Sequence, residues 1–79
     1  MGDKLSSMKP KDVIKILESL GFYQYRQKGS HLIMIKDDVK NYQPVIPMHN
    51  KELKKGTLLS IIRQSGLTKT EFLNLRKRK

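Results

Sequence analysis

Seventy-nine residues with 17 Lys and Arg against 7 Asp and Glu, a formal net charge of +10, allow one small domain with a strongly positive field and exclude a multidomain enzyme. There is no cysteine, which removes disulfides, thiolate zinc sites and thiol nucleophiles together and fits a reducing cytoplasm. No apolar run approaches the ~20 residues of a membrane span, and the start MGDKLSSMK lacks the hydrophobic segment of a secretory signal, so a cytoplasmic protein with no membrane contact is expected.

Residues 1–8 lack periodicity and read as a loose lead-in, with Met8 a conceivable alternative start; the single domain is expected over residues 9–75. Pro10 suits the first turn of a helix, Asp12 sits near its positive end, and Val13, Ile16, Leu17 and Leu20 recur at helical spacing before Gly21 supplies a left-handed stop. Lys9 is a poor residue for the cap. The aromatic-rich stretch Phe22 to Gln27, the break Lys28-Gly29-Ser30 and the apolar run His31 to Ile35 predict a hairpin. Asp37 to Asn41 is a polar loop, and Val45 to His49 is a third strand that Pro44 and Pro47 push toward a sheet edge. After a basic connector from Asn50 to Lys55, Leu58, Ile61, Ile62 and Ser65 mark the inner face of a second helix closed by Gly66. Thr68 and Glu71 then form a capping box, with Leu67 able to staple onto Phe72, and a short third helix runs into the basic tail 76–79. The order is αβββαα, an α+β fold with a three-stranded antiparallel sheet packed by helices.

The residues able to move a proton near neutral pH are His31 and His49. His31 follows Gly29-Ser30 at a strand's opening, where a bend exposes an imidazole, glycine lets a phosphate approach the backbone, and Arg26 and Lys28 supply positive charge. That arrangement suits a phosphodiester; a half-buried strand histidine bonded to a carbonyl is the reading the residues alone favour, and spacing does not settle between the two. His49, before the basic connector, can meet RNA, assist proton transfer or cap a turn. Two histidines without a neighbouring carboxylate ligand make no metal set, and no metal or cofactor is expected. At Lys54-Lys55-Gly56-Thr57 two ammonium groups meet the positive end of the second helix, which suits an anion; Gly56 or Thr57 merely capping that helix is the alternative. Residues 51–79 hold nine Lys or Arg and two Glu, against eight and five in residues 1–50, so the C-terminal part is the expected electrostatic footprint, with nucleic acid the favoured partner.

Taken in order, the blocks Leu20-Gly21-Phe22, Arg26-Gln27-Lys28-Gly29-Ser30-His31, Pro47-Met48-His49, Lys54-Lys55-Gly56-Thr57-Leu58 and Ile61-Ile62-Arg63-Gln64-Ser65-Gly66-Leu67 resemble the HicA family of toxin ribonucleases over roughly residues 9–75. The resemblance implies a fold like the double-stranded-RNA-binding domain, cleavage of messenger RNA, and neutralisation by a HicB-type antitoxin. It places the family's catalytic histidine on His31 and its Pro-x-His position on His49. Attack by the RNA 2′-hydroxyl on its own phosphodiester would then need His31 to move a proton, with His49, Lys28 or Ser30 assisting. Arg26, Lys28, Lys54, Lys55, Gly56 and Thr57 would bind phosphate. The seven-residue lead-in and the basic tail depart from the compact family pattern.

Two further readings compete. The second helix, its turn and the third helix also fit a helix-turn-helix that binds duplex DNA, and an inert double-stranded-RNA-binding module would share the fold without needing a histidine. Alternation along the second strand puts His31, Ile33 and Ile35 on one face and Leu32 and Met34 on the other. If helices cover one face only, an apolar patch is left beside His31, and Ile33 and Ile35 are the expected docking point for the antitoxin. The alternative is that the third helix or a crossing loop covers it.

Overall fold

Six elements follow one another in the computed structural model, which describes residues 8–37, 41–49 and 51–77. They are α1 (Pro10–Ser19), β1 (Tyr23–Lys28), β2 (His31–Ile35), β3 (Val45–Pro47), α2 (Lys55–Gln64) and α3 (Lys69–Lys77). The architecture is α+β, as expected. Residues 1–7 of the lead-in, part of the polar loop, Asn50 and the last two residues of the tail lie outside the described residues.

At the start of α1 the weak cap is compensated from inside the helix, because the Lys9 N–H donates to Asp12 Oδ2 at 3.0 Å. The buried stripe of α1 is Pro10, Val13, Ile14 and Leu17 rather than the expected Val13, Ile16, Leu17 and Leu20. Both sets have helical spacing; burial of Pro10 rotates the face by one step, and Ile16 and Leu20 pack only at its margin. Met8, expected in the lead-in, is buried, and its carbonyl accepts the Leu53 N–H at 2.8 Å. That bond ties the chain entering α1 to the chain entering α2.

Helices α1 and α2 stop in the same way. Gly21 donates to the Glu18 carbonyl and Phe22 to Leu17, while Gly66 donates to Arg63 and Leu67 to Ile62. In each case a glycine at positive φ (101° and 78°) reverses the chain, and the apolar residue after it folds back on the last turn. Helix α3 opens on the expected capping box: the Thr68 N–H donates to Glu71 Oε1 at 2.8 Å and the Glu71 N–H to Thr68 Oγ1 at 3.1 Å.

The sheet order is β1-β2-β3, antiparallel throughout. Gly29 and Ser30 form the two-residue turn between β1 and β2, with Gly29 at φ 59° in the first position, where the right-handed twist of a hairpin favours glycine. Leu32 and Met34 of β2 and Ile46 of β3 point inward and join Val13 and Leu17 of α1, Leu58, Ile61 and Ile62 of α2, and Phe72 of α3 in one core. α1 and α2 pack on β3, and α3 packs on α1 and α2. The helices therefore form one layer on one face. β3 is an edge strand, as its prolines require, and the side chain of Gln64 covers that edge by accepting the Val45 N–H at 3.0 Å. Among the described residues no helix is long and apolar enough to cross a membrane.

Candidate functional site

Cross-strand partners in an antiparallel sheet share a face, so the register alone builds the site. Lys28 pairs with His31, Arg26 with Ile33, and Tyr23 with Ile35; on the other side of β2, His31 pairs with Pro47 and Ile33 with Val45. These residues occupy the sheet face turned away from the helices. His31 is exposed in the middle strand, between Lys28 and Pro47, while Ile33 and Ile35 are half-buried beside it. The face carries the apolar patch expected there, and α3 packs on the opposite layer.

Turn geometry fixes the approach to His31. The Ser30 carbonyl accepts the Met48 N–H, which pins the hairpin turn to the end of β3, and Gln27 Nε2 donates to the Gly29 carbonyl at 3.2 Å. Space over Gly29 is open, since a Cβ there would meet nothing within 4 Å. A phosphate can thus reach the backbone of the turn beside the imidazole, with two cationic side chains, Arg26 and Lys28, on the same face.

Other expected site residues are placed differently. β3 stops at Pro47, so His49 does not end the strand; it lies in a bend two residues beyond His31's partner, and its Nδ1 accepts the Lys51 N–H at 3.2 Å. In the neutral imidazole this acceptor role puts the proton on Nε2. The basic connector is shorter than expected, because α2 begins at Lys55 and takes Lys55, Gly56 and Thr57 as its first turn. Lys54, not Gly56 or Thr57, holds the cap position. A lysine side chain has no acceptor to cap with, and no acidic residue occupies this first turn; Lys54 and Lys55 are exposed at the positive end of α2. These residues belong to the helical layer rather than to the turn that carries His31.

A β-bulge in β1 is a feature that sequence periodicity does not show. The register slips between Gln24 and Arg26, leaving Tyr25 as the extra residue. Without that slip Arg26 and Lys28 would alternate onto the helix side of the sheet. Beside the bulge, the Tyr23 phenol donates to Asp37 Oδ1 at 2.7 Å. This hydrogen bond, then burial, then the charges of Asp37 and Tyr25 raise the Tyr23 pKa above its ordinary 10.0. Among the described residues no three His, Asp or Glu side chains come together as metal ligands.

No curated protein matches the chain significantly. A family described as the HicA toxin of bacterial toxin-antitoxin systems matches residues 10–67. The match runs from the first residue of α1 through the sheet and the Gly29-Ser30-His31 turn to the glycine stop of α2, and it ends before α3, on which a helix-turn-helix would depend. With well over half of the sequence inside it, the chain belongs to the HicA toxin family of bacterial toxin-antitoxin systems.

Proposed function

We propose that this toxin is a metal-independent endoribonuclease that cuts messenger RNA in the cytoplasm with His31 at its active site, and that a HicB-type antitoxin neutralises it. The observation that carries this reading is the exposed His31 on the open sheet face, with Lys28 directly across from it and Arg26 one pair further along. In the reaction the ribose 2′-oxygen attacks the adjoining phosphorus and the bond from phosphorus to the 5′-oxygen breaks. One proton leaves the 2′-hydroxyl and one reaches the departing 5′-oxygen, so the products are a 2′,3′-cyclic phosphate and a free 5′-hydroxyl.

His31 moves one of these protons, and Arg26 and Lys28 neutralise charge on the phosphoryl oxygens. The second transfer needs another group. Lys28, with its Cβ about 5 Å from that of His31, is the nearest by register; Ser30 in the turn and His49 just past β3 are the others. Lys54, Lys55, Gly56 and Thr57 at the start of α2 provide a separate phosphate contact further along the RNA. No cofactor takes part.

The test is cleavage of messenger RNA by a folded His31→Ala protein in the presence of a chelator. Wild type yields cyclic-phosphate ends under these conditions, and the variant loses roughly 10²- to 10⁴-fold in rate. Full activity in the variant would end the assignment of His31.

A further inference from the structure

We propose that Tyr25 is the base-stacking platform of this site: it holds one unpaired base of a single-stranded RNA while the neighbouring phosphate lies at His31. The inference rests on the RNA-cleaving reading and adds to it the strandedness of the substrate and a residue that positions it.

The bulge carries the argument. Tyr23 faces outward opposite Ile35, Gln24 inward opposite Met34, and Arg26 outward opposite Ile33. Tyr25 continues the alternation of Tyr23 outward and Gln24 inward, and the slip after it brings Arg26 to the same outer side. Along β1, Arg26 lies two residues and Tyr25 three residues from Lys28, which pairs with His31. With strand geometry this puts the ring on the order of 10 Å from the imidazole, the reach from a splayed base to the phosphate beside it.

Tyr25 is also the tyrosine available for the task. Tyr23 is engaged with Asp37, and the ring of Tyr42 lies where a Cβ on Gly66 would stand. Tyr25 has no hydrogen-bond partner among the described residues and is 59% exposed, the most open of the large apolar side chains among them. An aromatic ring beside a guanidinium, on a cationic face, is the combination that binds unstacked bases. A duplex cannot use it, because its bases are stacked inside. In-line attack also requires the 2′-oxygen to lie opposite the leaving 5′-oxygen across the phosphorus, which A-form stacking prevents and a base splayed onto Tyr25 permits.

The experiment measures binding of 2′-O-methyl oligonucleotides, which lack the attacking hydroxyl and are not cut, as single strands and as duplexes. Tyr25→Ala and Tyr25→Thr should lose roughly 5- to 100-fold in affinity for the single strand, and Tyr25→Phe about twofold or less, with duplex affinity unchanged in all three. Single strands should quench tyrosine emission of the wild type, and most of that quenching should vanish in Tyr25→Phe, a variant that keeps its shape. Unchanged single-strand affinity in both Tyr25→Ala and Tyr25→Thr, an equal loss on both nucleic acids, or loss of antitoxin binding with RNA affinity intact would overturn the proposal. Because nothing is cleaved in this assay, its outcome is independent of the His31 test of catalysis.

Discussion

The Tyr23–Asp37 hydrogen bond joins the first residue of β1 to the chain just past β2, so a single contact closes the open end of the hairpin that carries Arg26, Lys28 and His31. The phenol must be protonated to donate, and ionisation would place two negative charges side by side. Its folded pKa is raised, so the stabilisation from this bond is complete below the unfolded value and is lost as pH rises through the folded one. An alkaline titration followed by near-ultraviolet absorbance should show one tyrosine ionising later than the others. That late step should disappear in Tyr23→Phe, and Asp37→Asn should shift it back toward 10.0, since the carboxylate is the leading cause. A late step surviving in Tyr23→Phe would assign it to another ring.

Among the elements, the glycine stops and the hairpin turn make graded demands. Gly29 has positive φ but open space around it, so Gly29→Ala should cost about 1–2 kcal/mol of backbone strain and no more. Gly66 has positive φ, and its added Cβ would stand 2.7 Å from the Tyr42 ring, which must swing away as well. Urea unfolding should therefore rank Gly66→Ala as the more destabilised, with Tyr42→Ala relieving part of the difference in the double variant. Equal losses would show that the ring moves without cost. The helix ends were legible in the sequence because they are local: the stop Leu20-Gly21-Phe22 and the start Thr68-Lys69-Thr70-Glu71 carry their own hydrogen bonds. So was the hairpin that sets Lys28 opposite His31, since a two-residue turn fixes the register of the strand it opens; the exposure of His31 was not, because a half-buried strand histidine satisfies the same residues. The rotated stripe of α1 and the bulge at Tyr25 were not legible. Pro10 or Leu20, and a regular or a slipped β1, satisfy the same local pattern, and only packing against β2, β3 and α3 chooses between them. The early start of α2 was missed for a related reason, because Lys54 carries no cap signal.

Across the whole molecule, charge and shape point to how the toxin is silenced. A net charge of +10 on 79 residues draws anionic surfaces of every kind, so charge alone cannot distinguish an antitoxin from RNA. The feature we propose would do so is the apolar strip Ile33 and Ile35, half-buried on the face that the helices leave open and in the same strand as His31. A folded partner seated there would exclude RNA from the imidazole, while burial of the two isoleucines supplies affinity that salt does not screen. An acidic rim on that partner, meeting Arg26 and Lys28, would speed encounter. Ile33→Asp and Ile35→Asp should then weaken the complex mainly through faster dissociation, with Ile33→Thr, a good strand former, giving a smaller loss in an undisturbed sheet. Raising salt should slow association for wild type and variants alike, leaving their ratio of dissociation rates nearly constant. Co-purification and binding kinetics with the proposed HicB-type antitoxin check both parts. Undiminished binding by the aspartate variants would move the interface off this face, and a complex that still cleaves RNA would show that the antitoxin acts without covering His31.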